Sequence, residues 1–218
     1  MAASVCTLLP LFGHAQPLQA WPDRYEARVE ILALMQTLSA DLLASRSATQ
    51  TLENWCREHR MADRPQIVAR VLPAVAKAPT AEQLQLLEVS DGREIKYRRV
   101  ELRCGQHLLS EADNWYVPSR LTAAINAQLL SSGTPFGKAV QPLQPYRRTV
   151  SVTTRWSPLP VGWEQLPPMK PQVSSGSVLE IPNVLFEHRA LLYRRDHRPF
   201  SLVHERYQRE ILNFSRSR

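Results

Sequence analysis

The sequence predicts an α+β fold on three observations. Helical periodicity comes early in the chain, strand-like runs come late, and 218 residues suffice for one domain with elaborations. Hydrophobic residues make up 44% and charged residues 22%, which excludes wholesale disorder. No run of about 18 apolar residues occurs, so no helix of this sequence is expected to insert stably in a membrane. Lys and Arg outnumber Asp and Glu by 27 to 20. The resulting charge of +7 asks for an anionic partner without saying whether it is a polymer, a headgroup or a small acid.

At the N-terminus, an apolar centre at Val5–Phe12 precedes small residues at Gly13 and Ala15, as in a signal peptide, but no basic start precedes it. Two readings stand. Met1–Ala15 is removed on export to the periplasm, leaving Cys56 and Cys104 as an even pair, or the segment is a frayed tail of a cytoplasmic protein with three free thiols. From Asp23 to about Ser45, apolar residues at Ile31, Leu34, Met35, Leu38 and Leu42 make one helical stripe. Ser47 and Gln50 have the spacing of a capping box, and Leu52, Trp55, Cys56 and His59 then share a helical face. Gln66–Leu72 is rich in β-branched residues and closed by Pro73. Thr80 with Gln83 opens a short helix through Leu84 and Leu87, and Asp91-Gly92 turns the chain into the next strand.

That strand, Glu94–Cys104, is the most informative. Alternation puts Lys96, Arg98, Val100, Leu102 and Cys104 on one face, and Tyr97, Arg99, Glu101 and Arg103 on the other. The second set is a solvated face. The first is apolar beyond its start, so Arg98 points to the core side and requires an anion there, either a ligand or an internal carboxylate.

A strand over Leu108–Val117 ends at Pro118, Ser119–Leu130 is helical, and Thr134–Gly137 is a turn. Strands at Thr149–Thr154, Val184–Tyr193 and Phe200–Tyr207 follow, the last two joined through Asp196–Pro199. Trp156–Pro182 holds six of the 17 prolines. It reads as a long irregular excursion, either a surface loop or a lid with Trp156 and Trp163 as apolar contacts. His188, His197 and His204 lack metal-ligand spacing, and Ser110 and Ser201 lack the setting of a nucleophile elbow. The C-terminal arginines alternate with acids and aromatics in no nucleic-acid motif. Neither a metal, a cofactor nor a nucleic acid is expected, and the oligomeric state stays open.

Several strings share an order and spacing. They are the helix Ser47–His59 leading into Gln66–Leu72, the run Tyr97-Arg98-Arg99-Val100-Glu101-Leu102, and the strand closing at Val117-Pro118. Thr134-Pro135-Phe136-Gly137, the pair Arg147-Arg148 before a strand, and Pro199 with Leu202-Val203-His204-Glu205 complete the series. Over about residues 45–210 this series resembles the bacterial chorismate lyase family. The resemblance implies a curved antiparallel sheet with helices packed on one side, here with an extra N-terminal helix. The chain then divides into a tail at 1–22 and a single domain at 23–214, with the excursion at 156–182 as a loop insertion.

The resemblance also implies an activity: elimination of pyruvate from chorismate to give 4-hydroxybenzoate in an internal pocket, as in ubiquinone biosynthesis. Aromatisation drives that reaction, so no cofactor is implied. One arginine of the second strand and a carboxylate of the last strand would bind the substrate. Counting back from Pro118 without gaps gives Arg99, whereas strand parity gives Arg98. The carboxylate is Glu205, which would hydrogen-bond the ring hydroxyl or transfer a proton beside a clamping Arg98. The family's second arginine falls on Asn114, which brings no charge, so Arg148 or Arg189 would supply it. The alternative is a non-catalytic binding module for a small aromatic carboxylate. Either way the implied partner is a small anionic aromatic or cyclohexadienyl carboxylate. Antiparallel pairing of Gln66–Leu72 with Glu94–Cys104 in such a fold also brings Cys56 within reach of a disulfide to Cys104.

Overall fold

Six strands hydrogen-bond into one curved antiparallel sheet: β1 (Ile67–Val71), β2 (Lys96–Cys104), β3 (His107–Tyr116), β4 (Tyr146–Thr154), β5 (Val184–Tyr193) and β6 (Pro199–Gln208). Their spatial order is β1-β2-β3-β6-β5-β4. The computed structural model describes residues 20–73, 76–131, 133–166 and 177–215. The predicted signal segment Met1–Ala15 and the middle of the proline-rich excursion lie outside these residues. Tight turns set the two hairpins that matter most. Gly105 adopts φ +54° between β2 and β3, and His197 adopts φ +64° between β5 and β6. The β3–β6 pairing then joins the two halves of the chain.

The alternation read in β2 is the observed one. Arg98, Val100, Leu102 and Cys104 are buried, and the residues between them are half-buried. That face packs under α1 (Tyr25–Ala44), which buries Ile31, Met35, Leu38 and Leu42 along the predicted stripe. It also packs under α2 (Ala48–Glu58). The Ser47 hydroxyl accepts from the Gln50 N–H at 3.3 Å, but the Gln50 amide reaches forward to Asn54 and the reciprocal half of the box is not made. In α3 (Ala81–Leu86) both halves are present between Thr80 and Gln83. α3 lies on the opposite face, where Leu87 packs with Trp115, Val117, Leu191 and Leu202. The rest of that face carries ion pairs, Arg99–Glu111, Arg206–Asp113 and Arg155–Glu187 among them.

Three details differ from expectation for local reasons. Residues 118–120 form a single 3₁₀ turn, and the next helix, α4 (Ala123–Ser131), starts only after the Thr122 hydroxyl has capped the Ile125 N–H. The predicted turn at 134–137 tightens into a short helix, α5 (Phe136–Ala139). β4 begins at Tyr146 rather than Thr149, because the Tyr146 ring stacks on Tyr193 of β5 at 5.0 Å. Cys56 of α2 is joined to Cys104 at the end of β2, with 6.4 Å between their Cα atoms, tying the helical layer to the sheet.

Candidate functional site: an anion cavity under α2

The sheet and the helical layer line a partly open cavity of about 490 Å³. Its floor comes from Arg98, Val100 and Leu102 of β2, Ala112 and Asn114 of β3, and Val203 and Glu205 of β6, with Arg147 and Leu192 at one side. Its roof is the first turn of α2, Ser47–Thr49, with Phe136, Gly137 and Val140. A Cβ at Gly137 would stand 2.8 Å from the Thr49 hydroxyl and 3.2 Å from that of Ser47, so glycine is what lets α5 close on α2. The first N–H groups of a helix have no intrahelical acceptor, which makes this roof weakly electropositive. Arg46 sits exposed at the rim.

Three polar groups face this space from apolar surroundings. Arg98 is 7% exposed, and its Nη2 donates to the Thr134 carbonyl at 3.2 Å. Its Nε and Nη1 have no protein partner among the described residues. Burial pushes its pKa below the ordinary arginine value. Asn114 stands directly across from Arg98 in the β2–β3 register. Its Oδ1 accepts from the Ser201 hydroxyl at 2.6 Å, and its Nδ2 has no partner among the described residues. The third group is an ion pair. Arg147 donates to both oxygens of Glu205, at 2.7 and 3.3 Å, and both side chains are almost wholly buried. The Tyr207 hydroxyl also donates to Glu205, at 2.9 Å. Burial works against the Arg147 charge, but Glu205 outweighs it and holds that guanidinium above its ordinary pKa. Burial, then Glu205, raises the Tyr207 phenol well above its usual value.

Behind the pair lies His188, opposite Glu205 in the β5–β6 register. Burial pushes its pKa down to about 4. Its Nε2 is 3.1 Å from the Ser39 hydroxyl, and its Nδ1 has no partner among the described residues.

Arg98 and Glu205 thus line the cavity from the strand faces read in the sequence, Asn114, singled out by the resemblance, lines it with them, and of Arg98 and Arg99 it is Arg98 that faces it. Arg99 points to the other face and pairs with Glu111 at 2.8 Å. Neither residue expected to replace the charge missing at Asn114 reaches the cavity. Arg148 is exposed, and Arg189 pairs with Glu82 at 3.0 Å. Arg147 occupies the place instead, with its charge already matched by Glu205. The described parts of the excursion do not line this cavity. Trp156 and Trp163 border a separate cleft of about 370 Å³ against α1.

No protein-family model matches the chain. It is 44% identical over 214 residues to the uncharacterized protein y4mC of Sinorhizobium fredii, covering 97% of this chain and 90% of that one. Among solved structures it is similar to the possible transcriptional regulator YydK of Bacillus subtilis, with a TM-score of 0.41 and 14% identity over 70% of this chain and 62% of that one. It is also similar to PhnF of Mycobacterium smegmatis, with a TM-score of 0.46 and 10% identity over 69% and 60%. A GntR-family transcriptional regulator of Bacillus cereus gives a TM-score of 0.41 and 12% identity over 70% and 98%. The chain therefore spans less than two thirds of the length of the first two. YydK is described as a possible transcriptional regulator and the Bacillus cereus protein as a GntR-family regulator, and none of the three as a chorismate lyase. The lyase resemblance drawn from the sequence is corrected accordingly, and with it pyruvate elimination and a place in ubiquinone biosynthesis. The cavity supplies a physical reason. Chorismate is a dianion, and the second arginine in this cavity is neutralised by Glu205.

Proposed function

We propose that this chain, which belongs to the family of the uncharacterized Sinorhizobium fredii protein y4mC, is a non-catalytic binding module for a small aromatic carboxylate. One observation carries the reading: Arg98 is buried with two of its three nitrogens unpartnered among the described residues. A desolvated guanidinium without a counter-ion is costly, and a carboxylate bound at either of these two nitrogens supplies that counter-ion through a charge-assisted hydrogen bond. Val100, Leu102, Phe136, Val140, Leu192 and Val203 surround the position a ring would take. Glu205 is poorly placed as a catalytic base, since Arg147 and Tyr207 already occupy its oxygens. Calorimetric titration with 4-hydroxybenzoate tests the proposal. Binding by the native protein and its loss in Arg98→Met are expected. Equal binding by both proteins would refute the role given to Arg98.

A further inference from the structure

The polar groups of the cavity differ in charge as well as in position, and the count has a consequence for which carboxylates fit. Arg98 brings one positive charge. Asn114, its cross-strand neighbour, brings a donor with no charge. The orientation of that amide is held by Ser201, whose hydroxyl engages Oδ1 from β6, leaving Nδ2 as the group offered beside Arg98. The opposite orientation would put an oxygen where an anion binds and repel it. Glu205 stands next to Ala112, two positions along β3 from Asn114 on the same face. Strand spacings of ~4.8 Å and a rise of ~3.3 Å per residue place its Cα roughly 12 Å from that of Arg98. A substituted benzene ring fits between the two side chains. At that far end the ligand meets a closed ion pair: an unused Nε–H of Arg147 and the oxygens of Glu205, with no net charge.

Resting on the carboxylate-binding reading above, we infer that Asn114, oriented by Ser201, and the closed Arg147–Glu205 pair make the cavity selective for a monocarboxylate whose other end is a neutral hydrogen-bonding group. A dicarboxylate would place its second charge against Glu205, whose burial weakens solvent screening. Asn114 is thus a specificity-determining residue, and Ser201 positions it.

The test compares 4-hydroxybenzoate with terephthalate, its dianionic counterpart of similar length, by calorimetry on the native protein and on Glu205→Gln, Ser201→Ala and Asn114→Leu. The native protein is expected to bind 4-hydroxybenzoate roughly tenfold or more tightly than terephthalate, by analogy with the loss of one charge-assisted contact. In Glu205→Gln the Arg147 charge is released, and the ratio should shift toward terephthalate. Ser201→Ala and Asn114→Leu should each weaken 4-hydroxybenzoate binding while the far-ultraviolet dichroism stays native. Equal or tighter binding of terephthalate by the native protein overturns the inference and leaves the binding module standing. Unchanged 4-hydroxybenzoate affinity in both Ser201→Ala and Asn114→Leu also overturns it. Binding of neither compound removes the carboxylate-binding reading itself. If Glu205→Gln fails to fold, the other two variants and the native ratio still decide.

Discussion

Replacing Arg98 by Met should stabilise the empty protein and abolish its binding. In the native chain the Arg98 side chain is buried, with one hydrogen bond to Thr134 and two nitrogens unpartnered among the described residues. Each buried unsatisfied group costs ~1–3 kcal/mol, whereas the single bond that the substitution removes contributes ~1 kcal/mol. Methionine retains most of the apolar stem and adapts to irregular space. The balance is a gain of about 1 kcal/mol, which for a domain of this size raises Tm by roughly 2–4 °C. With 4-hydroxybenzoate at ~100 times its Kd, the native protein alone gains about 2.7 kcal/mol from binding. The order of stabilities should therefore cross: variant above native without ligand, native above variant with it. Urea titrations with and without 4-hydroxybenzoate measure both differences, provided m is the same for the two proteins. A variant less stable than the native protein without ligand would refute the reading of Arg98 as an unsatisfied buried charge. Failure of the order to cross would refute its place in the binding site.

Three further outcomes are expected. Arg147→Met or Glu205→Leu alone should cost about 3–5 kcal/mol in urea unfolding, because each strands a buried partner, while the double variant should fall near the native value; purely additive losses would contradict a coupled pair. His188 has its folded-state pKa depressed to about 4, so the unfolded chain takes up this proton first as pH falls. That contribution is present in full above about pH 6.5 and is lost down to about pH 4, about 3 kcal/mol in all, and His188→Phe should flatten this part of the pH–stability curve. Parallel curves for the two proteins would sink the assignment. The Cys56–Cys104 bridge spans 48 positions, and reduction should lower stability by about 4 kcal/mol on the chain-entropy estimate. Thiol titration of the denatured, non-reduced protein should leave both cysteines unreactive.

The parts of the site that were legible in the sequence are those lying on strands with contrast between faces. Arg98 alternates with Val100 and Leu102, and Glu205 with Val203 and Tyr207, so the inward direction of each follows from a period of two. Arg147 offered no such contrast. It lies on the edge strand β4, where Thr149–Thr154 holds only Thr, Val and Ser, and where a bulge between Thr149 and Ser151 shifts the parity of what precedes it. A strand start set by the Tyr146–Tyr193 stack puts Arg147 inward and Arg148 outward, and an error of one residue exchanges them. Ser201 was similarly silent: its value lies in the amide it orients on a neighbouring strand, a contact across more than eighty residues. The roof was partly visible as the turn at Thr134–Gly137, but the closeness of Gly137 to Ser47 and Thr49 arises only from packing.

Among the described residues, the side chains of Arg98, Arg120 and Arg147 are buried, and the contrast among them is what singles out Arg98. Arg120 donates to the carbonyls of Leu87, Glu88 and Pro199, so its guanidinium is satisfied by backbone and staples α3 to the β5–β6 hairpin. Arg147 has its charge matched by the Glu205 carboxylate. Both are what a folded chain needs in order to bury a guanidinium at tolerable cost. On the outer face of the sheet, Arg99, Arg155, Arg189 and Arg206 each have a carboxylate within 3.0 Å. Arg98 instead lies at the floor of the cavity, beside Asn114, whose Nδ2 also has no partner among the described residues. Arg98 and Asn114 are adjacent donors with groups unpartnered among the described residues, and a single carboxylate matches both.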